Sequence, residues 1–405
     1  MADTRPLSDV KILDFMWVMA GPASTRILAD YGATVVRIES PTRIDTARTL
    51  QPFHGNTLGP DSSGLFANCN AGKFGISIDL ANPASRDVVF DLVRWADVVT
   101  ESFSPKAMRA WGYDYEAFRK VKPDIIMLSS CLMGQTGPLS KIAGFGNMAA
   151  AISGFHNLTG WADRPPAGPF GAYTDYVAPR FTAMALIAAL DHRRRTGEGQ
   201  YIDQSQAECA IHFLGPAILD YTVNGRVAGR HGNADFDFAP HGVYPAAGED
   251  RWVAIACRTD DDWRRLCSAM RRDDLSRDAR YSSAAQRREH SAALDSAIAA
   301  WSKTHDPIEA ETILQARGVP AYQVQNSAEA YRDPQLIHRR HFVDVEHPTL
   351  GKFTVEAPRA KLSRTPAEVR SAAPTLGQHN QYVLEEILKY DDARITELAS
   401  AGVLG

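Results

Sequence analysis

Short apolar strands alternate with helices along the first 210 residues, and this alternation restricts the fold more than any other pattern in the sequence. Val10–Phe15 and Ala33–Glu39 are predicted strands, and between them Ala23–Tyr31 is a predicted helix that Gly32 terminates. The pattern recurs, with strands predicted at 75–80, 97–101 and 124–131 and helices at 82–95 and 115–121. Strands separated by helices usually pair in parallel, so the pattern predicts an α/β fold with a mostly parallel sheet.

A change in composition divides the chain further along. Residues 225–248 are rich in Gly, Asn, Asp, Pro and His, which is typical of a linker or covering loop. Residues 1–224 are therefore predicted to form the N-terminal part of a large domain, and residues 249–325 a smaller α+β domain. Residues 326–405 are predicted to form strands and loops that close with a helix at 382–388.

Composition and charge argue against several classes of protein. The net charge of −4, from 44 basic and 48 acidic residues, argues against a general nucleic-acid binder. The longest apolar run, residues 181–190, is about half the length of a membrane span, and the first residues lack the apolar core of a secretory signal. The five cysteines are scattered without a CxxC pair, so neither disulfides nor a metal site are expected, and a cytoplasmic location is predicted.

One glycine motif has two interpretations. Gly144–Ala149 matches GxGxxA, the fingerprint of dinucleotide-binding turns, which must follow a strand directly. Here the turn-like residues 133–143 intervene, which favours glycines that only allow tight helix packing. No phosphate-binding GxxxxGK[ST] motif and no GxSxG motif occurs in the sequence.

Asp175 also has two interpretations. It follows a loop of small residues, 168–174, and precedes a long apolar helix predicted over about 176–193, with Pro179 in its first turn. The common interpretation is a helix N-cap. The alternative is a nucleophilic carboxylate, because a helix N-terminus favours the ionised form and a Gly/Ala loop lets a ligand approach closely.

The order of short motifs along the chain resembles the class III coenzyme A transferases, the formyl-CoA, carnitine-CoA and benzylsuccinate-CoA transferase group. Each motif alone is weak, but their joint order extends over most of the chain. The matching stretches include Leu13–Phe15, Ala20–Pro22, Leu28–Ala33, Val36–Glu39, Asn70–Lys73, Gly134–Pro138, Arg195–Gln200 and Ala373–His379.

The resemblance implies a Rossmann-like large domain, to which the C-terminal segment returns, and an interlocked dimer. It implies that Asp175 is the nucleophile and that coenzyme A (CoA) is a substrate rather than a permanently bound cofactor. The implied partners are an acyl-CoA, a carboxylic acid and a second copy of the chain or a related subunit, with no nucleic acid, membrane or metal. The implied CoA-contacting positions are Met19, Ala20, Asn70, Lys73, Ser102, Phe103 and Arg109.

Some positions depart from the family pattern and leave alternatives open. Ser40 and Ala110 stand where formyl-CoA transferase has arginines, although Arg43 and Arg109 are close by, and the glycine-run loop of that enzyme is absent. The related α-methylacyl-CoA racemases use a histidine where this chain has Phe145, which cannot carry a proton. Racemase-type proton transfer and an inactive subunit of a heteromer therefore remain the alternatives.

The acceptor is expected to be a carboxylic acid, and two features suggest a dicarboxylate. Arg180 follows the nucleophile by five residues, and Arg164 lies in the segment before it, so either could pair with a second carboxylate. Aromatic side chains could form an apolar wall for a succinate-like or aryl-substituted acid, or could simply belong to the core. They are Phe145, Phe155, Trp161, Phe170, Tyr173 and Tyr176.

Overall fold

The computed structural model describes residues 5–404, and within this range the chain forms two compact units. The larger unit comprises the residues up to His156, then Gly168–Ala228, and the segment from Gln335 onward. The smaller unit comprises Asn157–Ala167 and Gly229–Pro334. Within residues 5–404, no helix combines the length and apolar character needed to cross a bilayer.

The larger unit is built on a six-stranded parallel sheet with the strand order β3-β2-β1-β4-β5-β6. In register, Ile12 lies beside Val35 on one side and Val98 on the other, so β1 is central, and its residues 12–14 are buried. This confirms the predicted α/β fold with a parallel sheet. Its strands are β1 (Lys11–Asp14), β2 (Thr34–Glu39), β3 (Phe74–Ser77), β4 (Val98–Glu101), β5 (Ile126–Cys131) and β6 (Tyr201–Ser205).

Helices connect these strands. The α-helices before residue 228 are α1 (Ala20–Asp30), α2 (Gly64–Asn70), α3 (Ser85–Trp95), α4 (Ala107–Trp111), α5 (Tyr115–Val121), α6 (Gly146–Ser153), α7 (Phe155–Leu158), α8 (Tyr173–Thr196), α9 (Gln206–Ile211) and α10 (Gly215–Asn224). Short 3-10 helices occupy Thr46–Thr49, His54–Asn56 and His212–Leu214. Helix α8 begins three residues earlier than predicted, so Pro179 lies inside the helix rather than in its first turn.

The smaller unit contains an antiparallel sheet with the order β7-β8-β9, formed by His241–Pro245, Trp252–Ala256 and Ala321–Gln323. Its helices are α11 (Asp260–Ala269), α12 (Asp273–Arg277), α13 (Ala284–Glu289), α14 (Ser291–Ser302), α15 (Pro307–Gln315) and α16 (Ser327–Tyr331), with a 3-10 helix at Ala279–Tyr281. Helix α17 (Pro334–His338) starts at the end of this unit.

The smaller unit differs in two ways from the prediction. The range 225–248, predicted as a linker, contains strand β7, because a hairpin pairs His241–Pro245 with β8. The segment 157–167 joins this unit as well, since the Gly232 amide donates to the Gly160 carbonyl at 2.8 Å and a side chain at Gly232 would collide with Trp161. Such contacts between distant segments leave no periodic signal in the sequence.

The C-terminal segment belongs to the larger unit. Strands β10 (Phe342–His347) and β11 (Gly351–Glu356) form an antiparallel hairpin. Beyond them, α18 (Asn380–Tyr382) continues into a π-helical turn at Val383–Ile387, and α19 (Asp392–Ser400) follows, a helix that the sequence patterns did not predict. Val383 and Leu398 pack in the same core cluster as Leu13 of β1, so this segment completes the core of the sheet.

Candidate active site

A cavity of about 190 Å³ lies at the carboxyl ends of β1, β4 and β5. Its wall is formed by segments 17–21 and 102–105, which follow β1 and β4, and by residues 130–132 at the end of β5. The loop 140–145, Asp175 and Gln206 complete it. The strand order reverses between β1 and β4, and open parallel sheets bind ligands at this kind of reversal. The fold therefore places Asp175 where such sheets carry their sites.

Asp175 lies in the first turn of α8 and is 6% exposed. The helix begins at Tyr173 with Ala172 as its N-cap residue, so Asp175 does not cap the helix. Burial raises the pKa of the Asp175 carboxyl to about 6, and a hydrogen bond from the Gly146 backbone N–H partly opposes this shift. The N-cap interpretation of Asp175 is therefore wrong, and its carboxylate lines the cavity.

Gly146 explains the glycine motif. A β-carbon at this position would lie 2.5 Å from Oδ1 of Asp175 and 2.8 Å from the hydroxyl of Thr174, so only glycine fits here. The Thr174 hydroxyl in turn donates to the Gly146 carbonyl at 3.0 Å. The start of α6 thus packs directly on the start of α8, as the packing interpretation of the motif predicted.

Four of the predicted CoA-contacting residues lie in the wall of this cavity: Met19, Ala20, Ser102 and Phe103. The Ser102 hydroxyl accepts a hydrogen bond from the Trp17 N–H at 3.0 Å. The Phe103 ring meets Trp17 edge-on, with the ring centres 5.7 Å apart. The loops after β1 and β4 therefore contact each other, and both line the cavity.

Lys73 and Asn70 require a correction, because neither is available to a ligand. Lys73 is 1% exposed, and its ammonium contacts Asp14 at 3.0 Å, the Pro22 carbonyl at 2.8 Å and the Asn70 side-chain oxygen at 3.0 Å. Asn70 is fully buried and donates to the Phe66 carbonyl. The periodicity of the sequence could not distinguish this internal ion pair from surface charge.

Arg109 lies outside the Asp175 cavity, with its side chain 83% exposed and 3.7 Å from Asp114. It lines a neighbouring cavity of about 630 Å³ that shares Ser140 and Lys141 with the first one. Lys106 lines this second cavity, and Lys141 is the cation in the wall of both. Neither Lys106 nor Lys141 was predicted from the sequence, because isolated lysines in loops belong to no motif.

A third cavity, of about 430 Å³, adjoins the first on the side of β2. It shares Trp17 and Phe103 with the Asp175 cavity and includes Ser40 and Arg43 in its wall. Arg43, noted in the sequence as a neighbour of the missing family arginine, is therefore placed beside the site. Cations thus flank the Asp175 cavity in both adjoining spaces.

Arg180 does not lie in the wall of the Asp175 cavity. Its guanidinium donates to the Tyr176 carbonyl within the same helix, which is the simpler of the two roles considered for it. Among the predicted aromatic residues, Phe145 is in the wall, whereas Phe155 packs on Tyr173 with their ring centres 5.0 Å apart. Phe170 is 94% exposed, and Tyr176 is 47% exposed.

In the described wall, Asp175 is the carboxylate, and no imidazole accompanies it. Phe145 occupies the position of the racemase histidine, and the wall contains no histidine among residues 5–404. Within the same range, no group of three or more His, Cys, Asp or Glu side chains could hold a metal ion. A buried, ionisable carboxylate beside glycine is suited to nucleophilic attack on a carbonyl carbon.

Comparison with known proteins agrees with this chemistry. The family model described as CoA-transferase family III matches residues 7–380. The chain belongs to this family. It is therefore a CoA transferase, an enzyme that moves CoA from an acyl-CoA to a carboxylic acid, and the resemblance inferred from the motif order is confirmed.

Relatives of known activity match over their full length. The chain is 32% identical over 402 residues to the succinyl-CoA–D-citramalate CoA-transferase of Chloroflexus aurantiacus, covering 99% of this chain and 98% of that one. It is 31% identical over 408 residues to the succinyl-CoA–L-malate CoA-transferase beta subunit of the same organism, with coverage of 99% and 98%. The crystal structure of a CAIB/BAIF family protein from Brucella suis, 29% identical, superimposes with a TM-score of 0.88 over 95% of this chain and 99% of that one.

Proposed function

We propose that this CoA transferase moves CoA from succinyl-CoA or a similar donor to a dicarboxylic acid, with Asp175 as the nucleophile. The observation that carries the proposal is the buried Asp175 carboxylate, which lies against Gly146 in the cavity at the carboxyl edge of the sheet. The names of the two relatives, which pair succinyl-CoA with citramalate and with malate, support dicarboxylates on both sides of the exchange.

The exchange proceeds through covalent steps at Asp175. The carboxylate attacks the thioester carbonyl of the donor, the C–S bond breaks, and a mixed anhydride and the CoA thiolate form. The thiolate attacks the aspartyl carbonyl of the anhydride, which releases the donor acid and leaves an aspartyl-CoA thioester. The acceptor carboxylate then attacks the aspartyl carbonyl of this thioester, the C–S bond breaks, and a second mixed anhydride and the CoA thiolate form. The thiolate attacks the acceptor's carbonyl carbon, which gives the acceptor-CoA thioester and releases the Asp175 carboxylate. Each step conserves the energy of an activated acyl group.

The surroundings of Asp175 suit this role. With a pKa of about 6, the carboxyl is ionised about ten to one at pH 7, so no general base is needed. Burial that raises the pKa also makes the carboxylate more nucleophilic than one in water. The hydrogen bond from the Gly146 backbone N–H holds the carboxylate against the start of α6.

CoA is proposed to lie along the wall formed by Met19, Ala20, Ser102 and Phe103. Its phosphates would then reach the flanking cavities, where exposed basic side chains are available for charge-assisted hydrogen bonds. These side chains are Arg43 on one side and Lys106 and Arg109 on the other.

The second carboxylate of the acid is proposed to pair with Lys141 rather than with Arg180. Lys141 is the cation in the wall of the Asp175 cavity, whereas Arg180 is bound within its helix. Because the donor and acceptor acids occupy the same place in turn, Lys141→Ala should raise KM for succinyl-CoA far more than for butyryl-CoA, which lacks the second carboxylate. The matched control Arg180→Ala should leave this ratio unchanged. An equal rise for both donors would assign Lys141 to the CoA phosphates instead.

Trapping the intermediate tests the nucleophile directly. The purified chain is incubated with succinyl-CoA, treated with hydroxylamine, digested and analysed by mass spectrometry. The peptide that contains Asp175 is expected to carry a hydroxamate, and the Asp175→Asn variant is expected to carry none and to lack transfer. Transfer by Asp175→Ala at the rate of the unmodified chain would contradict the proposal.

A second copy of the chain is proposed to cover part of the larger unit. Helix α10 buries none of its ten residues, and Leu219 and Val223 are 62% and 76% exposed. Apolar exposure of this extent is typical of an interface. Native mass spectrometry is expected to give a homodimer, and CoA transfer by the purified chain alone would exclude the alternative of an inactive subunit.

The compartment is proposed to be the cytoplasm. The five cysteines are free thiols, and four of them are buried. Free thiols persist in reducing compartments. Cell fractionation is expected to recover the chain with cytoplasmic markers.

A further inference from the structure

Val18 adopts an unusual backbone conformation next to the reaction site. Its φ angle is +67°, in the left-handed region, which β-branched residues rarely occupy. It lies in the loop from β1 to α1, and residues 17–19 of this loop, together with residues 20–21 at the start of α1, line the Asp175 cavity. A left-handed residue turns the chain sharply, so this conformation decides where Met19 and Ala20 stand in the wall. A conformation of this kind persists only where the surroundings enforce it.

Asp45 makes the contacts that enforce it. Its Oδ1 accepts the N–H of Val18 at 3.0 Å and the N–H of Ala47 at 2.9 Å, and its Oδ2 lies 3.3 Å from the Val18 nitrogen. Oδ2 also pairs with the guanidinium of Arg37. The same guanidinium donates to the Met16 carbonyl at 2.5 Å, so the chain is held on both sides of Trp17.

The pair of Asp45 and Arg37 lies outside the cavity. Both side chains are fully buried, and neither is in the wall of the Asp175 cavity. Behind them, Glu39 accepts two hydrogen bonds from Arg48, at 2.8 and 2.7 Å, and Arg48 contacts Asp61 at 2.7 Å. The network thus extends from the cavity loop into the core, and Asp45 is the carboxylate that contacts Val18.

We propose that Asp45 is a positioning residue for CoA transfer. It holds Val18 in the left-handed conformation, so that residues 17–21 present one fixed wall to the acyl-CoA bound beside Asp175. The proposal rests on the proposed function, because it assigns the purpose of this loop to binding and reaction of the thioester. Asp45 touches neither the substrate nor Asp175.

A double-mutant cycle with Asp45→Asn and Val18→Gly separates this role from a general effect on stability. Asparagine has one acceptor oxygen where aspartate has two. It therefore cannot accept hydrogen bonds from both the Arg37 guanidinium and the Val18 N–H in the places that the two carboxylate oxygens occupy. Glycine adopts the left-handed region readily and does not depend on Asp45 for it. Asp61→Asn is the matched control, because it removes a charge from the same network without contacting the loop.

Asp45→Asn is expected to lower kcat/KM by roughly 10- to 100-fold, mainly through KM for the acyl-CoA, because a displaced wall binds its ligand poorly. In the Val18→Gly background, Asp45→Asn is expected to lower kcat/KM less than about threefold, because the loop no longer depends on Asp45. Asp61→Asn is expected to leave KM unchanged. Equal losses from Asp45→Asn in both backgrounds, or a loss in kcat alone, would overturn the proposal.

Hydrogen–deuterium exchange gives a readout that does not depend on turnover. The peptide covering residues 15–20 is expected to exchange faster in Asp45→Asn than in the unmodified chain or in Asp61→Asn. Unchanged exchange of this peptide would also overturn the proposal. If the unmodified chain binds CoA but does not transfer it, the proposed function fails, and the same cycle measured on CoA affinity by calorimetry decides the role of Asp45.

Discussion

At the scale of single residues, the raised pKa of Asp175 leads to a pH dependence. As the proposed nucleophile, the Asp175 carboxyl must be ionised to attack, and burial raises its pKa to about 6. We therefore expect kcat/KM to fall about tenfold per pH unit below pH 6 and to level off above pH 7. A pH–rate profile measures this. Burial also raises the pKa of Glu101, to about 7, so Glu101→Gln is the control. The fall in kcat/KM at low pH should still be centred near pH 6 in this variant.

Lys73 provides a second prediction at this scale. Its ammonium is the closest cation to the buried carboxylate of Asp14, at 3.0 Å, so Lys73→Met leaves that charge without its direct partner. We expect the free energy of unfolding to fall by about 3–5 kcal/mol, measured by chemical denaturation at pH 7. The exposed Lys106, changed to Met, should alter stability little and act on KM for acyl-CoA instead. A large rise in KM for acyl-CoA in Lys73→Met, with unchanged stability, would instead support the predicted contact of Lys73 with CoA.

At the scale of elements, the contact between the first turns of α6 and α8 is tight enough to test. In Gly146→Ala, the new methyl group would overlap the Asp175 carboxylate, 2.5 Å away, so one helix must move. We expect a loss of about 1–3 kcal/mol in stability and a loss of kcat of about 100-fold. Gly229→Ala, where no atom lies within 4 Å of the new carbon, is the control and should be neutral. Full activity of Gly146→Ala would show that the carboxylate does not need this contact.

The elements also show what the sequence could reveal. Strands β1, β2 and β5 follow from local patterns of apolar residues, glycine and proline, and these patterns suffice for the parallel sheet. The same patterns left Asp175 with two interpretations, and its role as the nucleophile was predicted from the resemblance to the family. The ion pair of Lys73 with Asp14 joins residues 59 positions apart, and its burial depends on the folded sheet. Helix α19 was missed because its nine residues bury only Leu398, which leaves almost no apolar stripe.

At the scale of the whole molecule, the larger unit depends on its last segment. Leu398, 1% exposed, packs in the core cluster that includes Leu13 and Val99. We expect Leu398→Ala to lower the free energy of unfolding by about 2–5 kcal/mol, whereas Glu397→Ala, on the exposed side of α19, should change it by less than about 1 kcal/mol. Chemical denaturation followed by circular dichroism measures both. Equal stability of the two variants would mean that α19 adds nothing to the core.

The distance along the chain between β6 and the segment that covers the sheet has a consequence during synthesis. The sixth strand ends at Ser205, but Val403, which is fully buried in the same core cluster as Leu13, comes 403 − 205 = 198 residues later. At ribosomal rates of about 5–20 residues per second, this part of the core stays uncovered for roughly 10–40 s. An apolar face exposed for so long is a target for chaperones and a risk for aggregation, so the yield of folded enzyme in a cell should depend on how fast the second half of the chain is made.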